Sequence, residues 1–282
     1  MTMSDERDGI ADYKFIRQLG AGSHGVFYLA YPPKRLPVAA EYVAVKVLSG
    51  GSSQDVFRWA HRELAAFAAV SSPYLVTLYD AGQQGEEVYY SMEYLPDGSI
   101  AVPAEPLTRA TALRAMAHAS RATHALHEAG IAHRDIKPGN VLLHPGGAKL
   151  ADLGLSHVLR PGITITRMGP AGDIGYLDPA LIRGDRPSRA SDVFSLGATL
   201  HYAVAGEGLY GPLSDTDPLL AMRRVISHPP VISARVDPDV QEVIAWAIAA
   251  DPAERPATAL QLAERIEELA LAPAPDEPMR RT

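Results

Sequence analysis

Apolar and polar positions alternate along the first third of the chain. The alternation runs over residues 15–30 and is interrupted by Gly20-Ala21-Gly22-Ser23-His24-Gly25, a pattern that predicts a strand, a glycine-rich turn and a second strand. Val43-Ala44-Val45-Lys46 predicts another strand, and residues 88–92 a further buried one. Residues 54–70 carry apolar side chains at helical spacing instead. This part of the chain is therefore predicted to be β-rich with one main helix.

The remainder of the chain is predicted to be mostly helical. Residues 107–128 form a long amphipathic pattern, and Gly130 follows it as the predicted C-terminal cap. Further helices are predicted at 192–205, 240–250 and 259–269. Residues 98–108 contain prolines and no helical period, so an irregular segment is predicted there.

Composition and charge exclude several classes of function. The 33 acidic residues outnumber the 26 basic ones, the net charge is −7, and no Lys/Arg run exceeds two residues, so nucleic acid is not an expected partner. The absence of cysteine excludes disulfides, thiolate metal sites and cysteine catalysis, and it fits a reducing compartment. No apolar stretch approaches about 20 residues, and residues 1–12 lack a signal-peptide core, so we expect a cytoplasmic protein without membrane contact.

The most informative motif is His133-Arg134-Asp135-Ile136-Lys137-Pro138-Gly139-Asn140, followed after a hydrophobic run by Asp152-Leu153-Gly154. The pattern places a basic residue between an acid and an amide, with a further acid after a short hairpin. Phosphoryl transfer from ATP needs such groups, because metal ions and a cation must neutralise the phosphates while a carboxylate orients the attacking hydroxyl. These motifs therefore predict phosphoryl-transfer chemistry.

With the glycine-rich turn and the strand ending in Lys46, these motifs resemble, in the same order, those of eukaryotic-type (Hanks-type) Ser/Thr protein kinases, which also occur in bacteria. The resemblance extends from about Tyr13 to about Leu269. Lys137, two residues after Asp135, is the family feature that separates Ser/Thr from Tyr specificity. The resemblance implies an α+β, bilobal protein kinase fold. It has a small β-rich N-lobe with one main helix (13–94), a larger mostly helical C-lobe (95–270), an N-terminal extension (1–12) and a flexible Pro-rich tail (271–282). The tail resembles the start of the linker that membrane-anchored kinases of this family have, so the chain is either a soluble kinase or part of a membrane-anchored one.

The same resemblance assigns the catalytic and metal-binding roles. Asp135 is expected to accept or orient the proton of the substrate hydroxyl, and Lys137 to stabilise charge on the transferred phosphoryl group. Asn140 and Asp152 are expected to bind Mg²⁺, with Mn²⁺ as an alternative, since oxygen ligands suit a hard cation.

The ATP-binding residues are expected mainly in the N-lobe. A glycine-rich turn alone is more often a plain hairpin, but the following strand places Lys46 toward a buried face, where an ammonium needs an anionic partner. By resemblance Lys46 binds the α and β phosphates and pairs with Glu63; a solvated helix carboxylate is the alternative for Glu63. The full expected set is Gly20, Gly22, Gly25, Phe27, Ala44, Lys46, Glu63, Met92, Glu93 and Leu95.

Four residues are candidates for regulation. Arg134 beside the expected catalytic acid favours control by a phosphate on Thr164 or Thr166, with ordinary loop hydroxyls as the alternative for both threonines. Asp173 stands where the family has threonine. We predict an ion pair from Asp173 to Lys137 that either replaces the bridging hydroxyl or holds the site inactive until substrate arrives.

Two further parts of the sequence bear on the scaffold. Asp178-Pro179-Ala180 replaces the family's Ala-Pro-Glu, so Arg255 lacks its usual glutamate. A buried arginine without a partner is costly, so Arg255 must find another acceptor or water, and weaker anchoring of the activation segment is expected. Asp192, predicted to open a helix, is implied by resemblance to hold the backbone of the catalytic loop. His124 and His127 are interpreted as packed or solvated histidines and not as metal ligands.

The sequence thus predicts an active Ser/Thr protein kinase whose partners are ATP and protein substrates, with a homodimer as the arrangement for autophosphorylation. One alternative is a pseudokinase that acts as a nucleotide-binding or protein-binding scaffold. Another is a small-molecule phosphotransferase, which would not be expected to have Lys137-Pro138 or an activation segment.

Overall fold

The computed structural model describes residues 8–22, 25–48, 64–152, 171–214 and 216–271, which form two compact units. The first unit contains 8–22, 25–48, 64–70 and 76–95, and the second contains 71–75, 96–152, 171–214 and 216–271. The first is built mainly of strands and the second mainly of helices.

The first unit is based on an antiparallel sheet. Its strands are β1 (Gly9–Ile10), β2 (Tyr13–Gly22), β3 (Gly25–Tyr31), β4 (Val43–Leu48), β5 (Leu78–Gln84) and β6 (Glu87–Glu93), in the spatial order β1-β2-β3-β4-β6-β5. Every side chain of β4 is buried, which explains why this strand consists mostly of β-branched and small apolar residues. The predicted strands are confirmed. Of the predicted helix at 54–70, residues 64–68 are helical, and residues 54–63 lie outside the described part of the chain.

One face of this sheet carries an apolar cluster. Val43, Val45 and Val47 of β4 pack with Ile10 and Tyr13 from the start of the chain. Because side chains alternate along a strand, Ala44 and Lys46 of β4 lie on the opposite face. The apolar cluster therefore packs against one face of β4, and Lys46 lies on the opposite face.

The second unit contains α1 (Arg109–Glu128), the hairpin β7 (Val141–His144) and β8 (Gly147–Leu150), α2 (Pro179–Ile182), α3 (Arg189–Ala205), α4 (Pro218–Ser227), α5 (Pro238–Ala247) and α6 (Ala259–Leu271). Single 3₁₀ turns occur at Pro138–Asn140, Ala171–Tyr176 and Pro252–Glu254. None of the helices in the described ranges is long and apolar enough to cross a membrane.

Helix α1 forms the centre of the second unit. Thr108 begins it with a capping box in which its side chain and that of Thr111 bond each other's backbone amides. Leu113 and Met116 are fully buried. Gly130 follows the helix with a φ of 76°, which fits the predicted C-terminal cap.

Helix α3 begins earlier than predicted. The sequence placed its first residue at Asp192, but Ser188 and Ser191 form a capping box, and the helix runs Arg189–Ala205. Asp192 therefore lies within the first turn, where its carboxylate still faces the positive end of the helix dipole.

The segment at 98–108 contains no helix before Arg109, as predicted. Gly98 has a left-handed φ of 81°, and the segment hydrogen-bonds to β7 through Leu143 N to Gly98 O (2.8 Å) and Ile100 N to Val141 O (3.0 Å). Since β7 directly follows Asn140, these bonds brace the end of the loop formed by residues 133–140.

Candidate active site

The three glycines of the predicted turn lie where β2 and β3 meet. Gly20 pairs with Phe27 and Gly22 with Gly25 across the two strands. Gly25 has a φ of 150°, and a Cβ there would clash with the carbonyl oxygen of Val47, so glycine is required. Residues 23–24 lie outside the described part of the chain.

Lys46 is a buried cation in the first unit. Its side chain is only 4% exposed. Its neighbours across the sheet are Phe27 on β3 and Tyr90 on β6, and its Nζ lies 4.7 Å and 6.0 Å from their ring centroids. Aromatic faces attract cations, so the two rings help to fix the ammonium position. Glu63, the predicted partner of Lys46, lies outside the described residues.

The other predicted nucleotide contacts of this unit cluster at the end of β6. Ala44 and Met92 are buried cross-strand neighbours on the face that carries Lys46. The Glu93 carboxylate accepts a hydrogen bond at 2.7 Å from the amide of Thr77, the residue before β5. Leu95 lies two residues further on and is half-buried.

Asp135, Lys137 and Asn140 converge in the second unit. Lys137 Nζ lies 3.2 Å from Asp135 Oδ1. Asn140 Nδ2 donates to Asp135 Oδ2 at 3.0 Å and to its backbone oxygen at 2.7 Å. Both carboxylate oxygens of Asp135 thus have partners from its own loop. These contacts fix the orientation of the carboxylate. A group that receives a substrate hydroxyl needs such a fixed orientation.

The predicted ion pair between Asp173 and Lys137 is present. Lys137 Nζ lies 2.8 Å from Asp173 Oδ2, so two carboxylates share one ammonium. Burial alone would lower the pKa of Lys137, but the charges of Asp135 and Asp173 outweigh it and raise the pKa above its usual value. Lys137 is therefore a permanent cation near neutral pH.

Asn140 and Asp152 offer hard oxygen ligands suited to a divalent cation. Asn140 uses its amide nitrogen on Asp135, which leaves its side-chain oxygen as the available ligand atom. Asp152 follows β8 with a φ of 62°, and the preceding Ala151 N donates to Asn140 O at 2.8 Å. A carboxylate and an amide oxygen on two bonded segments fit Mg²⁺ when phosphates and waters supply the other ligands. The described residues contain no cluster of three or more metal-binding side chains that would form a self-sufficient site.

Asp192 holds the backbone of the loop formed by residues 133–140, as the resemblance implied. Its carboxylate accepts hydrogen bonds from His133 N at 2.7 Å and Arg134 N at 2.9 Å. His127 Nε2 is a third partner at 2.8 Å. The sequence interpretation grouped His127 with packed or solvated histidines and missed this contact. Its position on the apolar face of α1 was the available signal, because a polar side chain there needs a buried partner.

His133 links the loop to the strand before Asp152. The residue is fully buried; its Nε2 pairs with Ala151 O at 3.1 Å, and its Nδ1 with the Asp135 amide at 3.4 Å. These partners correspond to a neutral ring that donates from Nε2.

The buried histidines predict a pH dependence of stability. Burial lowers the pKa of His133, His118 and His201 below the ordinary value of 6.5. The unfolded chain takes up protons near that value while the folded chain does not, so the free energy of unfolding should decrease as pH falls below about 6.5, by at most about 1.4 kcal/mol per pH unit for each histidine. Urea denaturation between pH 7.5 and 5.5 measures this. His133→Phe should show a shallower slope than the parent, and a flat parent profile would contradict the expectation.

Arg134 adopts a left-handed backbone with a φ of 69°. Its Nε is buried and has no hydrogen-bond partner among the described residues. A guanidinium with a buried, unpaired nitrogen is suited to bind an anion. Thr164 and Thr166, the predicted phosphorylation sites, lie outside the described residues.

Arg255 has the other acceptor that the sequence required. Arg255 Nη1 donates to Asp178 Oδ2, and both side chains are buried, with relative exposures of 2% and 4%. Asp178 also accepts a bond from Ala180 N at 2.9 Å and so caps α2. The carboxylate missing at Ala180 is supplied two residues earlier by Asp178, which the sequence did not identify as the acceptor.

Comparisons with known proteins agree with this geometry. A family model described as protein kinase domain matches residues 13–266. Ser/Thr-protein kinase PknK of Mycobacterium tuberculosis is 32% identical over 267 residues, covering 92% of this chain and 24% of that protein. PknB of Mycolicibacterium smegmatis is 31% identical over 252 residues, covering 84% and 40%.

A solved structure shows the same fold. The kinase domain of Mycobacterium tuberculosis PknI superimposes with a TM-score of 0.69 at 24% identity, covering 96% of this chain and 100% of that one. The chain spans only 24% and 40% of the lengths of PknK and PknB. The predicted α+β kinase fold is confirmed, and the chain belongs to the protein kinase family.

Proposed function

We propose that this chain is an ATP-dependent protein serine/threonine kinase that transfers the γ-phosphate of ATP to protein hydroxyls. The observation that carries the proposal is the cluster of Asp135, Lys137 and Asn140, in which a fixed carboxylate lies 3.2 Å from a permanent cation. Such a pair orients a hydroxyl and stabilises the charge of the phosphoryl group during its transfer. The kinase relatives support the same activity.

The chain's residues divide this chemistry among them. Asp135 receives and orients the acceptor hydroxyl, and Lys137 stabilises the transferred group. Lys46, held between two rings, binds the α and β phosphates. Asn140 and Asp152 hold Mg²⁺, which when bound neutralises phosphate charge; Mn²⁺ offers the same ligand preference. The remaining proposed nucleotide contacts are Gly20, Gly22, Gly25, Phe27, Ala44, Glu63, Met92, Glu93 and Leu95.

A pseudokinase scaffold is the alternative. It would have no need of a fixed catalytic carboxylate, a shared ammonium and two metal ligands together, so their presence favours catalysis. The experiment uses γ-labelled ATP, Mg²⁺ and a Ser/Thr peptide library. Label on peptide or protein supports the proposal. Label confined to a small molecule indicates a different phosphotransferase, and no transfer at all indicates a scaffold.

Regulation by autophosphorylation in a cytoplasmic signalling protein completes the proposal. Arg134 has a buried Nε without a partner among the described residues, and a phosphate on Thr164 or Thr166 would pair with it. Transfer between two copies of the chain implies at least a transient homodimer.

An inactive copy tests this regulation. Parent protein should place label on Thr164 or Thr166 of a tagged Asp135→Asn copy, and Thr164→Ala/Thr166→Ala should lower the turnover of the enzyme by about tenfold or more because Arg134 loses its phosphate partner. Mass spectrometry and initial rates measure the two effects. Full activity of the double variant, with no phosphate on either threonine in the parent, would exclude this regulation.

A further inference from the structure

Asp173 adds a negative charge beside the catalytic group. It belongs to the 3₁₀ turn Ala171–Tyr176, and its Oδ2 lies 2.8 Å from Lys137 Nζ, which is 3.2 Å from Asp135 Oδ1. One cation thus faces two carboxylates, and these three groups sum to a charge of −1. A threonine at this position would make the sum zero.

Asp173 is also the most accessible member of the three. Its side chain is 32% exposed, against 16% for Asp135 and 15% for Lys137. Only Oδ2 bonds Lys137, and Oδ1 has no hydrogen-bond partner within the described part of the chain. Oδ1 of Asp173 is therefore available to solvent and to a substrate segment that approaches Asp135.

The described neighbours on this side do not neutralise the charge. Tyr176, in the same turn, packs edge-on against Tyr202 with ring centroids 6.1 Å apart. Leu213 lies against Gly175. These side chains are uncharged, so Lys137 is the cation in contact with Asp173, and Asp135, Lys137 and Asp173 together keep their net charge of −1.

We propose that Asp173 determines substrate specificity by selecting protein segments with Lys or Arg immediately next to the acceptor Ser or Thr and disfavouring acidic neighbours there. The inference rests on the proposed kinase activity. The acceptor hydroxyl must reach Asp135, and contacts of 3.2 and 2.8 Å through Lys137 keep Asp173 close to it. Adjacent residues of an extended peptide advance by about 3.3 Å, so a neighbour of the acceptor comes within reach of Asp173. Complementary charge at such a place acts mainly on specificity.

The experiment compares three peptides that differ only in the residues flanking a single acceptor threonine, which are lysine, alanine or glutamate. The full chain with Mg²⁺ and ATP is assayed as parent, Asp173→Asn and Asp173→Thr. The measured quantity is the ratio of kcat/KM for the lysine peptide to that for the glutamate peptide within each protein, so a general loss of activity cancels. Asp173→Thr retains a hydroxyl that can bond Lys137. It therefore provides a second variant in case Asp173→Asn is too slow to measure.

We expect a ratio of about tenfold in the parent that falls toward unity in both variants, and a weaker preference at high salt. The alanine peptide should fall between the other two. Equal ratios in parent and variants, with all proteins active, would overturn the inference while leaving the kinase proposal intact. Failure of the parent to phosphorylate any of the peptides or itself would instead overturn the proposed function, and this inference with it.

Discussion

Asp135→Asn is expected to reduce the rate of phosphoryl transfer by about 10²–10⁴-fold, the usual contribution of a positioned acid or base. Asparagine keeps the shape of the side chain but lacks the carboxylate that accepts the hydroxyl proton. Asp173 continues to hold Lys137 at 2.8 Å, so the cation should stay in place and the loss should reflect the chemistry. Initial rates with labelled ATP and a Ser/Thr peptide measure the effect.

A matched control separates this loss from damage to the fold. Asp185→Asn makes the same chemical change at an exposed residue of the same unit and should leave the rate unaltered. Both variants should unfold at nearly the parent temperature in a thermal melt. A well-folded Asp135→Asn protein that transfers phosphate at the parent rate would remove Asp135 from the catalytic role.

The cluster of Asp135, Lys137 and Asn140 was predictable from sequence because its contacts are local. Asp135 and Asn140 are five residues apart, and the 3₁₀ turn at Pro138–Asn140, with proline at its first position, sets the chain path between them. The contact between Lys137 and Asp173 spans 36 residues and was reached only through the family motif that places residue 173 beside the loop.

Contacts across longer stretches had no comparable sequence signal. His127 and Asp192 are 65 residues apart, and Asp178 and Arg255 are 77 apart. Each pair depends on how helices pack, which no local pattern specifies. A buried polar residue signals that a partner must exist, but it does not identify that partner.

The same limit applies to the first unit. Tyr13 OH bonds Asp80 Oδ2 at 2.9 Å and Ser91 Oγ at 2.8 Å, and Arg35 bonds Asp80 at 2.6 Å. The alternation of apolar residues predicted the strands but gave no indication of this polar network between them.

The start of α3 was misplaced because its cap, Ser188, precedes the apolar pattern.

Breaking the buried ion pair of Asp178 and Arg255 should lower the free energy of unfolding more than any other change proposed for this chain. Arg255 also donates through Nε to Ala249 O at 2.8 Å and lies 5.2 Å from the centre of the Phe194 ring, so it cannot turn to solvent without breaking several contacts. Asp178→Ala leaves this guanidinium buried without its counter-charge. We expect a loss of about 3–5 kcal/mol in the free energy of unfolding, because breaking a buried pair leaves an uncompensated charge. Denaturant unfolding measures the loss.

Three further variants make this prediction specific. Glu268→Ala breaks the exposed pair with Arg265, whose side chains are 42% and 66% exposed, and should cost no more than about 1 kcal/mol. Adding Arg255→Met to Asp178→Ala should recover much of the loss, since the unpaired charge is then absent. Adding Ala180→Glu to Asp178→Ala tests whether a carboxylate two residues later can replace Asp178. A loss for Asp178→Ala no greater than that for Glu268→Ala would show that the buried pair does not hold this part of the fold together.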